Sequence, residues 1–463
     1  MTLASARAAP RRSAGGLQTA TSTPALLRLL FVGLMLYAAF GKGFAYAGWP
    51  PVFVGELLLA CVLLAAARPW AAIPRNAAAV VTAGLVALAI VQFAVDRLGA
   101  AVPLQETLRG LAPIYYSAFA FALFALLRSL ERTAGRHVVL AQVDRGLTKA
   151  TPWVLAALVV LAVLLLVEPA GLPTWPTSGV SLLLTKSGDI AVTLVLFASL
   201  LFTDGAVKRF GAWRHLLVAM WALTALLVTF RSRGALLALI VGLVIMRPHL
   251  VRIVKAVLVG IAVVLALYVT GLSLGVGGRE ISYEAIGDAV ASVLGAGPED
   301  QIGSNYLDTT NWRADWWGEI WTDVREERMI LHGRGWGDNL ALRHGVIPAL
   351  AADDPRALRL PHNIFFSLVG RAGLLTAIGF LLVPLLTIIR TFRGNGAPTA
   401  RPLVEAARGA VAAAVTTGLS DIYLESPQGG ILFWSLIGFL WWAVTPALGT
   451  GSQDGQLSLR EAR

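Results

Sequence analysis

The chain has 463 residues, 57% of them hydrophobic and only 14% charged, with a mean hydropathy of +0.71. A soluble chain carries about a quarter charged residues, so this composition excludes an ordinary soluble domain. The net charge of +11 does not point to nucleic acid, because the basic residues lie mostly in short loops flanking apolar runs, the pattern of cytoplasmic membrane loops.

Apolar runs recur from Pro24 to Ala447, matching the ~20 residues needed to cross a ~30 Å hydrocarbon core. Residues 1–24, with Arg7, Arg11 and Arg12, read as a disordered cytoplasmic tail. The run from Leu26 reads as a retained first helix, since more membrane segments follow it. Helix 1 is expected at about 25–44 and helix 2 at 52–67, joined by the turn Gly48-Trp49-Pro50-Pro51. Helix 3 is expected at 77–95 and helix 4 at 110–127, and the Arg-rich loop 128–150 places its side inside. Helix 5 (152–168) leads to a Pro- and Gly-punctuated stretch containing Trp175 and Lys186. Helix 6 (189–203), helix 7 (214–230) and helix 8 (ending at Arg247) follow, and helix 9 leaves near Tyr268. Helices 10 (362–389), 11 (403–418) and 12 (431–446) complete the expected set, and residues 448–463 form an inner tail.

The expectation is therefore an all-α polytopic membrane protein of about twelve helices, with both termini cytoplasmic and one large loop, 271–361, between helices 9 and 10. That loop holds 14 acids and 8 arginines, a net of −6, so the remainder carries +17. The lone Cys61 excludes an intramolecular disulfide.

Outward-facing short loops should be poor in Lys and Arg. Lys42, Arg97, Arg109, Lys186, Arg231, Arg233, Arg371 and Arg408 break that rule. Arg231 and Arg233 share a very short helix link, where an arginine costs a few kcal/mol unless it reaches water or an anion. A fixed phosphate-like site is one reading, and snorkelling to headgroups is the other. In the large loop, Trp312/Trp316 and Trp317/Trp321 fall at i, i+4 spacing, as on an amphipathic surface helix. These rings suit either a glycan groove or an interfacial belt, and Arg313 beside them could pair with Asp315 or hold an anion. Gly333, Gly335 and Gly337 predict a tight structural turn, not a P-loop, because the GK[ST] ending is missing. His362, between Pro361 and Asn363, could be an interfacial cap or a proton acceptor. No HExxH, paired cysteines or Asp-x-Asp supports a metal site; Asp353-Asp354 reads as a solvated turn.

Ser232-Arg233-Gly234-Ala235, Trp312-Arg313, Gly333-x-Gly335-x-Gly337 and Pro361-His362-Asn363 with Gly370 and Gly373 occur in an order that resembles the O-antigen ligase and polymerase superfamily. The resemblance is best from about 185 to 385. It implies a GT-C-like, bacterial inner-membrane glycosyltransferase, metal-independent and without cofactor. The site would be periplasmic, capped by a mainly helical loop. The implied donor is a glycan on undecaprenyl diphosphate, and the acceptor is lipid A–core or another glycan. Arg233, Arg313 and His362 match the family's catalytic positions. Arg231, Lys186, Trp312 and Asn363 are candidate contacts to the diphosphate or glycan. The arginines would neutralise charge growing on the diphosphate, His362 would take the acceptor proton, and a single displacement would invert the anomeric carbon. A polymerase using a second lipid-linked repeat shares every one of these features. A lipid-linked sugar transporter would be expected to show repeated halves with broken helices, and no internal repeat is visible.

Overall fold

A computed structural model describes residues 15–49, 52–66, 74–99, 102–167, 172–203, 205–246, 274–276, 279–281, 304–346, 360–393 and 400–448. Its helices in chain order are α1 (Gly15–Phe40), α2 (Lys42–Ala45), α3 (Val54–Ala66), α4 (Ala77–Gly99), α5 (Leu104–Tyr115), α6 (Ala118–Ala134), α7 (Arg136–Val167), α8 (Ser187–Phe202), α9 (Ala206–Phe210), α10 (Trp213–Arg231), α11 (Arg233–Met246), α12 (Ser304–Glu326), α13 (Leu340–Arg343), α14 (Ile364–Arg393), α15 (Arg401–Gly418) and α16 (Pro427–Val444). Two short antiparallel hairpins, Gly48–Trp49 with Val52–Phe53 and Leu274–Val276 with Arg279–Ile281, interrupt the helices.

Among the described residues, α4, α7, α14 and α16 are long and apolar enough to cross a membrane, and α5 with α6, bent by 45°, makes a fifth candidate. Shorter apolar helices lie within α1, α3 and α10 and in α8 and α11. The chain is thus a helical membrane protein. Helix 9 of the sequence reading, which leaves near Tyr268, falls outside the described residues, as do the loop segments 282–303 and 347–359.

Three of the expected helices differ in the same way: each runs past its apolar stretch. α1 begins at Gly15, not at residue 25, so helix extends into the stretch read as a disordered tail. α5 and α6 cover 104–134 where one helix over 110–127 was expected. α7 starts at Arg136, inside the loop expected over 128–150. The cause in α7 is amphipathicity. Val139, Leu140 and Leu147 are buried although charged residues separate them, so helical spacing continues where hydropathy alone falls away.

The centre of the bundle is α8, buried along its whole length from Ser187 to Phe202. α11 and α15 pack against it and against each other, α16 packs on α6, and α14 packs on α4. Close approach explains Gly409 on α15. A Cβ there would sit 2.8 Å from the carbonyl oxygen of Gly242 on α11, the small-residue contact that lets membrane helices touch.

Hydrogen bonds tie the two ends of the bundle differently. At one end, Glu131 accepts from Arg128, Arg136, Trp442 Nε1 and the Leu448 amide. Arg408, one of the rule-breaking cations, donates there to the last carbonyls of α11, Ile245 and Met246 (both 3.0 Å), a favourable place for a cation. The opposite end gathers Lys186, Ser420, Asp421 and His362.

The described part of the large loop is mainly α12, which packs on α14. Its buried stripe is Trp316, Ile320 and Val324, at four-residue spacing. The surface-lying helix expected from the tryptophans is therefore a helix docked on protein. Trp312 does stack on Trp316, with centroids 5.9 Å apart, but Trp317 stacks on Phe366 of α14.

The glycine turn has a structural explanation. α14 is broken at Gly373, whose φ is 83°. Into the break goes the turn segment 330–335. The Arg334 and Gly335 amides donate to the carbonyls of Gly370 and Arg371 (2.9 Å each), and Leu374 N donates to Ile330 O. Gln92 of α4 completes the joint with bonds to His332 O and Arg371 O. Gly333 has φ 63°, and a Cβ there would lie 2.3 Å from the Arg371 carbonyl carbon, so only glycine fits.

Candidate active site

Asp421 is the hub of the site, and it sits in the turn between α15 and α16. Its amide donates to Thr417 O, and its Oδ1 accepts from the Ile422 amide at 2.7 Å, which fixes the carboxylate. The same Oδ1 lies 2.5 Å from Lys186 Nζ and 3.0 Å from His362 Nδ1. Burial would raise the Asp421 carboxyl, but the His362 hydrogen bond and the Lys186 charge outweigh burial and hold it well below the usual carboxylate range.

His362 precedes α14 and adopts φ 55°, a left-handed conformation. Such a conformation costs about 1–3 kcal/mol in a residue other than glycine and clusters at functional sites. Asn363 follows as the N-cap: its Oδ1 accepts from the Phe365 amide at 2.9 Å. Asn363 is buried and its acceptor is committed to the helix, so the structure places it as scaffold for His362. Trp317 helps from α12 by donating its indole N–H to Pro361 O at 2.7 Å. Trp312 sets its ring edgewise against the imidazole, with centroids 6.4 Å apart.

Burial lowers the His362 pKa, and the charges of Lys186 and Arg313 push the same way, against the opposing pull of Asp421. The imidazole is therefore neutral at neutral pH. An ionised carboxylate only accepts, so Nδ1 carries the proton and Nε2 keeps its lone pair. With the imidazole neutral, Lys186 supplies the charge that holds Asp421 ionised. The arrangement is a base oriented by a carboxylate, the relation that Asp and His share in serine hydrolases.

Arg313 reaches the same turn from α12. Its Nη1 donates to Ser420 O at 3.2 Å, and the guanidinium lies 5.7 Å from the Trp312 ring centre. Its Nε is buried without a hydrogen-bond partner in the protein. Burial lowers its pKa, Asp421 raises it, and Arg233 lowers it again, so the two arginines are electrostatic neighbours. Arg233 opens α11, where Ser232 Oγ accepts from the Ala235 amide as a cap. Gly234 is tight against the hub: a Cβ there would sit 2.8 Å from Ser420 Oγ. The backbone of Arg231 ends α10; its side chain lies outside the described set.

Two residues that the sequence reading left out of the site belong to its surroundings. Asp421 itself was passed over as part of a short turn, although an acid facing a surplus of outward cations was a usable signal. Lys42 had been noticed only as a topological exception. Burial lowers its pKa, Lys186 lowers it further, and Asp189 and Asp421 oppose them. The site therefore brings together Lys42, Lys186, Arg233 and Arg313 around few acids. Arg371 is not part of it; it donates to Asp338 O instead. No protein family model matches the sequence, and no curated protein matches it.

Proposed function

We propose that the protein is an O-antigen-ligase-like glycosyltransferase, taking a glycan from undecaprenyl diphosphate to an acceptor hydroxyl on the periplasmic face of the bacterial inner membrane. About twelve spans and cytoplasmic termini go with this reading. The observation that carries it is the juxtaposition of His362, oriented by Asp421, with the half-buried Arg313, whose buried Nε has no protein partner.

Each part has a role in that chemistry. Nε2 of His362 takes the proton from the acceptor hydroxyl as the oxygen attacks the anomeric carbon. Asp421 holds the imidazole in the competent tautomer and stabilises the imidazolium that forms. Arg313 and Arg233, with Lys186 and Lys42 behind them, offset the charge that grows on the diphosphate as the sugar–phosphate bond breaks. The leaving group supplies the activation, so neither nucleotide nor metal is required.

The test is transfer by purified protein from an undecaprenyl-diphosphate glycan in the presence of EDTA, offered lipid A–core and a second lipid-linked repeat as acceptors. Labelling of lipid A–core supports a ligase, and elongation of the repeat makes it a polymerase. Activity abolished by EDTA, or full turnover by Arg313→Ala or His362→Ala, refutes the assignment.

A further inference from the structure

Beneath the Lys186–Asp421 pair lies a cavity of about 10 Å³ that the proposed reaction does not use. Three oxygens on its lining residues are buried and lack a hydrogen-bond partner in the protein: Thr185 Oγ1, Asp189 Oδ2 and Gln428 Oε1. The residues that carry them are 4%, 7% and 4% exposed. They come from three separate places in the chain: the segment before α8, α8 itself and α16.

Leaving even one buried polar atom unsatisfied costs about 1–3 kcal/mol, so three such atoms around one space require an occupant. Size and hydrogen-bond polarity define it. Roughly 10–15 Å³ holds one water. The Asp189 carboxylate oxygen and the Gln428 carbonyl oxygen can only accept, whereas the Thr185 hydroxyl can donate. One water, donating to Asp189 and Gln428 and accepting from Thr185, satisfies all three. A sodium ion would have to compete with Lys186 and Lys42, which act on the Asp189 carboxylate together with Asp421, and exchange of the buffer cation separates the two occupants.

We propose that this cavity is a specific site for a single ordered water, which joins the three segments and fixes Thr185 and hence its neighbour Lys186 against Asp421. The water is a positioning element, and the inference needs no substrate to be tested.

A cryo-EM map of the full chain in nanodiscs should show one peak at about 2.6–3.2 Å from the three oxygens, unchanged when choline replaces sodium in the buffer. The double variant Thr185→Val, Gln428→Leu should lose the peak. It should also change the titration of His362, read without substrate as the pH midpoint of its modification by diethyl pyrocarbonate in peptide mass spectra. The charged groups that face His362 are Asp421, Lys186 and Arg313. Loosening Lys186 removes one cation from the imidazole and frees Asp421 for it, so the midpoint should move to higher pH. A wild-type map with no peak, a peak that follows sodium, or an unchanged midpoint in the folded variant overturns the proposal.

Discussion

His362 Nδ1 and Asp421 Oδ1 meet at 3.0 Å across 59 residues of sequence. The histidine stands at the start of α14 and the aspartate just beyond α15, so two helix ends must be placed correctly before either side chain has a role. Removing the carboxylate while keeping its shape separates orientation from bulk. Asp421→Asn should lower kcat for glycan transfer by about 10²–10⁴-fold, the range associated with general acid–base catalysis. KM for the donor should change far less. A variant with wild-type kcat would break the link between Asp421 and the base.

The arginines are predicted to be intolerant of lysine. Arg313 uses Nη1 on Ser420 O and keeps Nε buried without a protein partner, a geometry that depends on the planar fork. Arg313→Lys should lose at least roughly tenfold in kcat/KM, equivalent to about 1.4 kcal/mol of transition-state stabilisation, with folding preserved in thermal unfolding. Recovery of full activity by lysine would reduce Arg313 to a simple positive charge.

The pH dependence has a definite sign. His362 has its pKa lowered by burial, and the base works as the neutral imidazole, so turnover should be level from pH 8 down to about 6.5, the unperturbed histidine value. It should fall only on the acid side of that value. Linkage runs in the same direction for stability. A histidine with a depressed folded pKa contributes full stability above its unfolded pKa and loses it as pH falls through the folded one. A profile that falls above pH 7 would contradict the assigned protonation state.

Gly333→Ala tests the joint between loop and helix. The substitution asks for φ 63° with a side chain and places Cβ against the backbone of α14. Backbone strain alone costs about 1–3 kcal/mol, so a clear drop in thermal unfolding temperature in detergent is expected. An unchanged unfolding temperature would mean that the segment is not held in the break.

Glu131 offers a control far from the site. Its carboxylate accepts from two arginines, an indole and a backbone amide. Breaking a buried ion pair from one side costs about 3–5 kcal/mol. Glu131→Ala should lower stability by an amount of that order while leaving the pH midpoint of His362 modification where it was.

What the sequence disclosed follows from physical scale. Long apolar runs reveal membrane helices, so α4, α8, α14 and α16 were expected close to where they stand. Cations where topology disfavours them pointed to Lys186 and Arg233, and the neighbouring tryptophans pointed to Arg313. Pairing between distant turns leaves no local pattern, which is why Asp421 was missed although its neighbourhood was identified. Helix carried by weak amphipathicity, as in the first half of α7, escapes a hydropathy reading for the same reason. Asn363 beside a candidate base invited a binding role, whereas capping geometry gave it a structural one.

The break in α14 also bears on how the chain is made. Its carbonyls at Gly370 and Arg371 take their partners from Arg334 and Gly335, residues synthesised some three dozen positions earlier. The donors are therefore already made when the acceptors leave the ribosome, and the joint in α14 can close as that helix emerges. A circular permutant opened between 346 and 360, in which α14 is made first, would have to insert that helix with these carbonyls unmet.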